Sequence, residues 1–310
     1  MNTAILVNSS ANNNTGGKKW LLIQNSVLDM LPTGTLVISY EAGFNTEHCI
    51  RELINERNIK CIISAGGDGS INYILNAIIA CLGESPAEMH LGAIGLGSSN
   101  DFMKPVSKVL SGIPVRIDHD HPTSADIGKV TFFDKYSVYR SRYFIVNASI
   151  GVTAEANLLF NEGDFFINRM KDRFINATIL YTAVKTIITY RNLAVQLAYG
   201  NVMEKINISN MSVVKNPNIS GSFKYDQEIS INDGYLGLNY FYDLGKLELL
   251  KALYDLKRGK FAGKPKRRSV LVKSVKITSG ELMALETDGE VTFANDIEFS
   301  IIPEGIQVLG

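Results

Sequence analysis

Residues 61–82 read CIISAGGDGSINYILNAIIACL, and this stretch decides the fold class. Residues 61–65 form a short apolar run of the kind found in buried strands. The turn Gly66-Gly67-Asp68-Gly69 follows, and the apolar residues after it recur at spacings of three and four, which predicts a helix with one apolar face. That face comprises Ile71, Ile74, Leu75, Ile78, Ile79 and Leu82. A buried strand that passes through a glycine turn into a helix is typical of an α/β sheet with parallel strands.

The sequence on either side of this stretch continues the alternation of strands and helices over about residues 1–105. A helix is predicted from Thr46 to Arg57, with Thr46 as a candidate N-cap. Because each strand is followed by a helix, we expect a parallel sheet with crossover helices. Further strands are predicted at residues 4–7, 35–39 and 91–94.

The pattern changes after about residue 125, where segments rich in Val, Ile, Tyr and Phe alternate with turn residues. One helical stretch, at about 168–191, interrupts them. These features predict an antiparallel β domain that carries one prominent helix. The predicted β segments are 142–150, 193–200, 205–214, 236–242, 270–278 and 296–302.

Composition limits the partners. The chain has 31 Lys and Arg and 31 Asp and Glu, so its formal net charge is zero and a global basic field for nucleic acid is absent. The N-terminal residues lack the cationic lead of a signal peptide, and every apolar run is shorter than the roughly 18 residues that a membrane span needs. We therefore expect a cytoplasmic protein that does not bind nucleic acid.

Two glycine loops are candidates for binding phosphate. The first is Gly66-Gly67-Asp68-Gly69-Ser70, where free N–H groups at the helix start would face an anion. The second, residues 95–102 (GLGSSNDF), also follows a predicted parallel strand, and ligands of such sheets bind at the carboxyl ends of the strands. Simple turn formation is the alternative for either loop. The sequence Gly17-Lys18-Lys19 lacks the following Ser or Thr of a P-loop.

At these residues the sequence resembles the diacylglycerol kinase catalytic-domain family, which includes sphingosine kinases and soluble bacterial lipid kinases. Its loop Gly-Gly-Asp-Gly-Thr, followed by an Asn, is matched with Ser70 and Asn72, and its Pro-x-Gly-Thr-x-Asn-Asp-Phe segment is matched by residues 95–102. Later matches are Tyr143–Asn147 with Gly151, Asn232–Leu236 and Thr287–Glu290. The sequence departs from the family at Tyr73, where a Glu is usual, and at Gly95, where a Pro is usual.

The resemblance implies the architecture and the activity. Residues 1–125 would form a nucleotide-binding α/β domain similar to NAD kinases and phosphofructokinases, to which residues 296–310 would return. Residues 126–295 would form an antiparallel β-sandwich that binds the lipid substrate. The implied activity is transfer of the ATP γ-phosphate to a lipid hydroxyl, such as that of diacylglycerol, with Mg²⁺, in phospholipid biosynthesis. The alternatives are an NAD kinase-like enzyme and a nucleotide- or lipid-binding protein with weakened catalysis.

The resemblance also assigns site residues. Glu290 would accept the proton of the lipid hydroxyl, and Asp288 and Asp68 would complete the catalytic set. An Asp-Gly hairpin turn is the alternative for residues 287–290. For Thr46, helix capping is the alternative. The implied nucleotide contacts are Asn8, Ser9, Thr46, Gly66, Gly67, Asp68, Gly69, Ser70, Asn72, Gly97, Ser98, Asn100 and Asp101.

A structural magnesium site is implied at Asp233, with oxygen atoms of Ser230 and Tyr235 as neighbouring ligands. A turn formed by Asp233-Gly234 is the alternative.

The segment Lys257–Arg268 contains seven basic residues and no acidic one. Basic clusters beside a membrane gain on the order of 1 kcal/mol per residue from anionic lipid, so this segment predicts peripheral docking on a membrane surface, where the lipid substrate would be met. A solvated loop is the alternative. The sequence leaves a homodimer open.

Overall fold

The computed structural model describes residues 1–41, 44–163, 167, 170 and 174–310. The chain divides into two compact units. Unit 1 comprises Met1–Ile127 and Ile302–Gly310, and unit 2 comprises Gly128–Ile301. Among the described helices, none combines the length and the apolar character that crossing a bilayer requires.

Unit 1 is built on parallel strand pairs. Its elements are β1 (Thr3–Asn8), α1 (Ala11–Asn14), α2 (Gly16–Leu28), β2 (Leu36–Tyr40), α3 (Thr46–Asn55), β3 (Cys61–Gly66), α4 (Asp68–Leu82), β4 (His90–Gly95), a 3₁₀ turn (Asp101–Met103), β5 (Lys108–Leu110) and β6 (Ile113–Arg116). Strand β1 runs parallel to β2 and β3, β3 runs parallel to β4, and Gln307 and Val308 pair in parallel with β4. Strand β6 is antiparallel to β4 and β5.

The position of β3 explains its sequence. Every residue of β3 is buried, and all but Ser64 and Gly66 are apolar, as expected because both faces of a central parallel strand are covered. The core of unit 1 joins Ile63 of this strand with Ile5, Trp20, Ile94 and Leu309. The chain end therefore contributes to the same core as the first strand.

The N-cap of helix α3 lies one residue before the predicted one. The side chain of Asn45 accepts a hydrogen bond from the backbone N–H of His48 at 3.0 Å. Asn45, rather than Thr46, is therefore the N-cap, because its carbonyl oxygen satisfies a donor that the first turn leaves unpaired.

Unit 2 is rich in antiparallel strands. The elements are β7 (Thr123–Asp134), which begins in unit 1, β8 (Tyr139–Phe144), β9 (Asn147–Gly151), α5 (Val152–Asn161), α6 (Ile175–Thr189), β10 (Leu193–Tyr199), β11 (Val202–Val214), β12 (Asn218–Ile219), β13 (Phe223–Lys224), β14 (Leu236–Tyr242), α7 (Lys246–Lys257), β15 (Arg267–Val272), β16 (Ser274–Thr278), β17 (Met283–Thr287) and β18 (Glu290–Val308). Strand β11 pairs with β9, β10 and β14, while β17 pairs with β9 and β18. Other pairs are β7 with β8 and β18, β12 with β13, β14 with β15, and β16 with β10 and β18.

The described part of unit 2 contains three helices where the sequence predicted one. The predicted stretch 168–191 corresponds to α6 in its described part, while residues 168, 169 and 171–173 lie outside the described residues. The sequence analysis did not predict helix α7, although Leu249, Ala252 and Leu256 recur at helical spacing and form its buried face.

Candidate active site

The first glycine loop joins β3 to α4. Strand β3 ends at Gly66, Gly67 is the N-cap, and α4 begins at Asp68. A Cβ atom at Gly66 would lie 2.4 Å from the Ser70 hydroxyl oxygen, so only glycine fits there. The first N–H groups of α4 are the donors that a helix leaves unpaired, and they favour an anion at this end.

The second glycine loop lies against the first. The carbonyl oxygen of Gly66 accepts hydrogen bonds from the backbone N–H groups of Leu96 at 2.9 Å and Gly97 at 3.1 Å. A Cβ atom at Gly97 would lie 2.4 Å from the Cα atom of Gly67. The two backbones can therefore approach this closely only because both loops carry glycine.

Asp68 ties the two loops together. Its carboxylate accepts hydrogen bonds from the backbone N–H groups of Asp101 at 3.0 Å and Phe102 at 2.9 Å. The prediction gave Asp68 a direct catalytic role, whereas here its carboxylate faces backbone donors of the second loop. The contact holds the two loops together, and the catalytic role of Asp68 stays a prediction.

Asn100 shapes the second loop from within. It has a positive φ of 50°, and its side-chain Nδ2 donates to the carbonyl oxygens of Gly95 and Gly97, both at 3.2 Å. Its buried Oδ1 has no hydrogen-bond partner in the described structure. A Cβ atom at Gly95 would lie 2.8 Å from the ring of Pro114, so that ring fills the space beside the position where the family has proline. The departure at Gly95 therefore has a local packing reason.

The other predicted nucleotide contacts differ in their surroundings. Asn8 donates from Nδ2 to the Ser70 hydroxyl at 2.9 Å, and the Ser9 hydroxyl donates to the carbonyl oxygen of Tyr40 at 2.9 Å. Asn72 is buried on α4, and Ser98 is exposed. None of the described contacts joins Thr46 to either loop.

The two remaining loop residues differ in exposure. Asp101 is buried and pairs with Lys104 at 2.7 Å. Tyr73, which replaces the usual acid, is 54% exposed on α4.

Lys19 is a site residue that the sequence analysis missed. From α2 its ammonium donates to the carbonyl oxygens of Leu96 at 3.1 Å and Gly97 at 3.4 Å. Burial lowers the pKa of Lys19. Comparison with the P-loop pattern could not find this residue, because it reaches the second loop from 77 positions upstream.

In unit 2, residues Thr287–Glu290 form a tight hairpin turn between β17 and β18. Asp288 and Gly289 have φ values of 46° and 96°, and two consecutive positive φ values are typical of a two-residue hairpin turn. The turn alternative is therefore correct as a description of the backbone, and it leaves Glu290 as the first residue of β18.

Asp288 anchors this turn. Its buried carboxylate accepts hydrogen bonds from the backbone N–H groups of Ile145 at 2.9 Å, Val146 at 3.0 Å and Asn147 at 2.8 Å. These donors engage both carboxylate oxygens, and the direct catalytic role of Asp288 stays a prediction. Asp288 fixes the turn to the segment that leads into β9.

Glu286 is a second buried acid, and the sequence analysis missed it. Its carboxylate accepts from the backbone N–H of Gly289 at 2.6 Å, from Asn147 at 2.9 Å and from the Ser149 hydroxyl at 2.5 Å. Burial, together with the nearby charge of Asp288, raises the pKa of Glu286 to about 8 against the effect of these hydrogen bonds. Glu290 itself is half-buried. Two buried acids thus hold the turn that presents it.

The predicted magnesium site contains a lysine. The Lys215 ammonium donates to the carbonyl oxygens of Ser230 at 2.8 Å and Tyr235 at 2.9 Å, and to Asp233 Oδ1 at 2.9 Å. Burial raises the pKa of Asp233, but the hydrogen bonds from Lys215 and from the backbone lower it overall. The three oxygens do not fit a magnesium ion in addition to the ammonium, because the ammonium already lies among them. The described residues contain no group of three or more His, Cys, Asp or Glu that could hold a metal.

The basic segment is partly neutralised within unit 2. Arg267 and Lys264 both pair with Asp255 at 2.9 Å, and Lys266 pairs with Glu248 at 3.0 Å. Three of its seven cations therefore face acids of α7. The other four cations of the segment are exposed, namely Lys257, Arg258, Lys260 and Arg268.

Family models match most of the chain. A model described as the diacylglycerol kinase catalytic domain matches residues 2–130. A model described as the YegS C-terminal NAD kinase beta sandwich-like domain matches residues 147–310, more than half of the chain.

Curated relatives and solved structures extend the comparison. A diacylglycerol kinase of Staphylococcus carnosus (strain TM300) is 26% identical over 275 residues, covering 84% of this chain and 83% of the relative. A diacylglycerol kinase of Staphylococcus saprophyticus is 25% identical over 293 residues, covering 90% and 87%. The crystal structure of a diacylglycerol kinase from Bacillus anthracis str. Sterne aligns with a TM-score of 0.65 at 13% identity, covering 99% of this chain and 96% of that one. The structural likeness shows a shared fold.

Proposed function

The chain belongs to the diacylglycerol kinase catalytic-domain family, as its motifs predicted, and from this premise we propose that it is a kinase that transfers the γ-phosphate of ATP to the hydroxyl of a lipid. The relatives named diacylglycerol kinase cover most of the chain and agree with this activity. The lipid acceptor is a diacylglycerol or a related lipid alcohol.

One observation carries the proposal, namely the convergence of two glycine loops at the ends of β3 and β4. Gly66 accepts hydrogen bonds from two N–H groups of the second loop, and Asp68 accepts from two others. Backbone N–H groups at the start of α4 and the ammonium of Lys19 place positive potential at these loops. Phosphoryl transfer depends mainly on positioning and on neutralising charge, which such loops supply.

We assign unit 1 to ATP and unit 2 to the lipid. In this assignment the nucleotide contacts are those of the two glycine loops with Asn8, Ser9 and Thr46, and unit 1 is the NAD kinase- and phosphofructokinase-like domain with its parallel sheet. Unit 2 is the β-sandwich domain that binds the lipid. Mg²⁺ would accompany ATP and neutralise charge on its phosphates.

Glu290 is the proposed proton acceptor. A lipid alcohol is a weak nucleophile near neutral pH, and a carboxylate within hydrogen-bond reach can take its proton during attack on the phosphorus. Glu290 follows a turn that Asp288 and Glu286 hold through six hydrogen bonds from Ile145, Val146, Asn147, Ser149 and Gly289. A turn fixed in this way limits the movement of the carboxylate that acts in the reaction.

The decisive experiment is a radiolabelled ATP assay with Mg²⁺ against diacylglycerol, a sphingoid base, phosphatidylglycerol and NAD. We expect a labelled lipid from at least one lipid alcohol. Labelled product from NAD alone would reject the proposal in favour of an NAD kinase-like enzyme. ATP binding without any labelled product would indicate a binding protein with weakened catalysis.

Peripheral membrane docking is a finer part of the proposal. The exposed cations Lys257, Arg258 and Lys260 support it, although their neighbours pair with acids of α7. Replacing these three by Gln should weaken sedimentation with anionic vesicles at low salt, while the same change at exposed Lys205 and Lys224 should not. Equal sedimentation of both variants would remove the segment from the proposal. Sedimentation velocity on the same samples would detect a homodimer.

A further inference from the structure

Lys215 lies directly after β11 and is held in place by its backbone. Its backbone N–H donates to the carbonyl oxygen of Val146 at 2.8 Å, and the N–H of Asn216 donates to the same oxygen at 3.0 Å. The Lys215 side chain is 1% exposed, although it carries an ammonium group. A buried ammonium requires acceptors, because its desolvation is otherwise costly.

The acceptors come from one turn of the chain. Ser230 and Tyr235 supply backbone carbonyl oxygens, and Asp233 supplies a carboxylate oxygen, at 2.8 to 2.9 Å from Nζ. Three acceptors match the three N–H donors of an ammonium, and the distances are those of charge-assisted hydrogen bonds. Asp233 also accepts from the backbone N–H groups of Ser230 and Tyr235, which closes the turn around it.

An arrangement of this kind needs a cation at its centre. Two carbonyl dipoles and a carboxylate that point to one place repel each other unless a positive charge lies between them. A magnesium ion would satisfy the same oxygens at roughly 2.0–2.1 Å. It cannot share the position with the Lys215 ammonium, since two cations in contact in a partly buried turn would repel strongly.

We propose that Lys215 is a covalently attached replacement for the structural metal ion, so that the turn Ser230–Tyr235 of this protein folds without a divalent cation. The inference rests on the contacts of Lys215 and is independent of the proposed kinase activity. It restricts any requirement for Mg²⁺ to the nucleotide.

The test uses the full chain without nucleotide, so that ATP-bound Mg²⁺ does not contribute. The midpoint of thermal unfolding is measured in EDTA and in millimolar Mg²⁺. We expect the wild-type midpoint to be the same in both. A Mg²⁺-dependent rise in the wild type that Asp233→Asn abolishes would overturn the proposal, because a metal would then bind at these oxygens despite Lys215.

Variants of Lys215 test the charge itself. Lys215→Met keeps most of the stem and removes the ammonium, so we expect the midpoint to fall by several degrees, on the order of 5 °C. The matched control Lys224→Met, at an exposed position of the same unit, should leave it unchanged. A Lys215→Met protein as stable as the wild type would show that the ammonium does not hold the turn.

Lys215→Ala opens the position to a metal. We expect this variant to be less stable than the wild type in EDTA and to regain stability in millimolar Mg²⁺, a response that Asp233→Asn added to it should remove. If Mg²⁺ restores nothing, the oxygens are not a metal site that lysine has taken over, and the replacement is rejected. The wild-type measurement remains decisive even if this variant does not fold.

Discussion

Glu286 and Asp288 hold the turn before Glu290 by accepting hydrogen bonds from different groups. Asp288 accepts hydrogen bonds from the three backbone N–H groups of residues 145–147, and Glu286 accepts one from Gly289 inside the turn. Both are buried, whereas Glu290 is only half-buried. Three acids within five residues therefore divide into two that position the turn and one that remains accessible to a substrate.

Glu290→Gln should remove the proton acceptor while preserving the shape of the side chain. We expect kcat to fall by roughly 100-fold or more and the KM for ATP to change little, because the proposed nucleotide contacts are residues of unit 1. Steady-state kinetics with the preferred lipid would measure both. The control Glu298→Gln changes an exposed acid on the same strand and should keep wild-type kcat. Unchanged kcat in Glu290→Gln would exclude the proposed role.

Glu286 should make stability depend on pH. Burial raises its pKa from 4.5 to about 8, so the folded protein keeps a proton that the unfolded chain has released between these values. Its contribution to stability is therefore complete below about pH 4.5 and is lost as the pH rises through about 8.

The comparison with Glu286→Gln isolates this contribution. As the pH rises across that window, the unfolding free energy of the wild type should fall relative to that of the variant by on the order of 1 kcal/mol per pH unit. Urea denaturation at a series of pH values would measure it. Glu281→Gln, at an exposed position nearby, should run parallel to the wild type. Parallel curves for Glu286→Gln would mean that Glu286 is ionised in the folded state.

At the scale of elements, the contact between the loops after β3 and β4 requires glycine on both sides. Gly97→Ala would place a Cβ atom 2.4 Å from the Cα atom of Gly67, and neither backbone can yield without moving its loop. We expect ATP affinity to fall on the order of tenfold or more, since roughly 1.4 kcal/mol of lost binding energy suffices. Titration calorimetry with ATP would measure it.

A glycine in open space provides the control. No atom lies within 4 Å of a Cβ atom at Gly280, so Gly280→Ala should bind ATP like the wild type. Both variants should keep a native far-UV spectrum. Wild-type affinity in Gly97→Ala would show that the approach of the loops does not matter for the nucleotide.

Elements with a strong local signal were predictable from the sequence. Strand β3 and helix α4 follow from an apolar run and a period of three and four, and both appear at the predicted positions. The loop contacts were not predictable, because Asp68 meets backbone N–H groups 33 and 34 residues away. Any Asp after a glycine pair has the same local sequence, and only the folded chain decides what its carboxylate faces.

The contact of Lys215 with the predicted metal ligands was not predictable either, for a similar reason. Residues 232–234 (NDG) read the same whether their oxygens surround an ion or an ammonium. Lys215 lies 18 positions before Asp233, and nothing in its immediate neighbours indicates where its side chain ends. The three oxygens that the family resemblance named do converge, and the cation found among them is the Lys215 ammonium.

At the scale of the whole molecule, the two ends of the chain belong to one unit. Leu309 is 1% exposed and packs in the same core as Ile5 and Trp20, and its backbone N–H donates to Leu91. Residues near the C-terminus thus complete the unit that carries both glycine loops.

Leu309→Ala should destabilise the protein by roughly 2–5 kcal/mol, the usual cost of removing a large buried aliphatic side chain. Urea denaturation would measure the loss, and added ATP should offset part of it if unit 1 binds the nucleotide. Leu22→Ala, at a position that is 71% exposed in the same unit, is the matched control and should be near neutral. Equal stability of the two variants would contradict the place of Leu309 in the core.

Because the Lys215 ammonium lies in the turn at Asp233, the stability of that turn does not depend on a dissolved metal ion. An ion taken from solution is present only in proportion to its concentration, and the stability it adds disappears when the ion becomes scarce. A charge attached through four methylene groups cannot diffuse away, and its local concentration is set by the length of its tether. The turn at Asp233 should therefore keep its shape when magnesium is scarce.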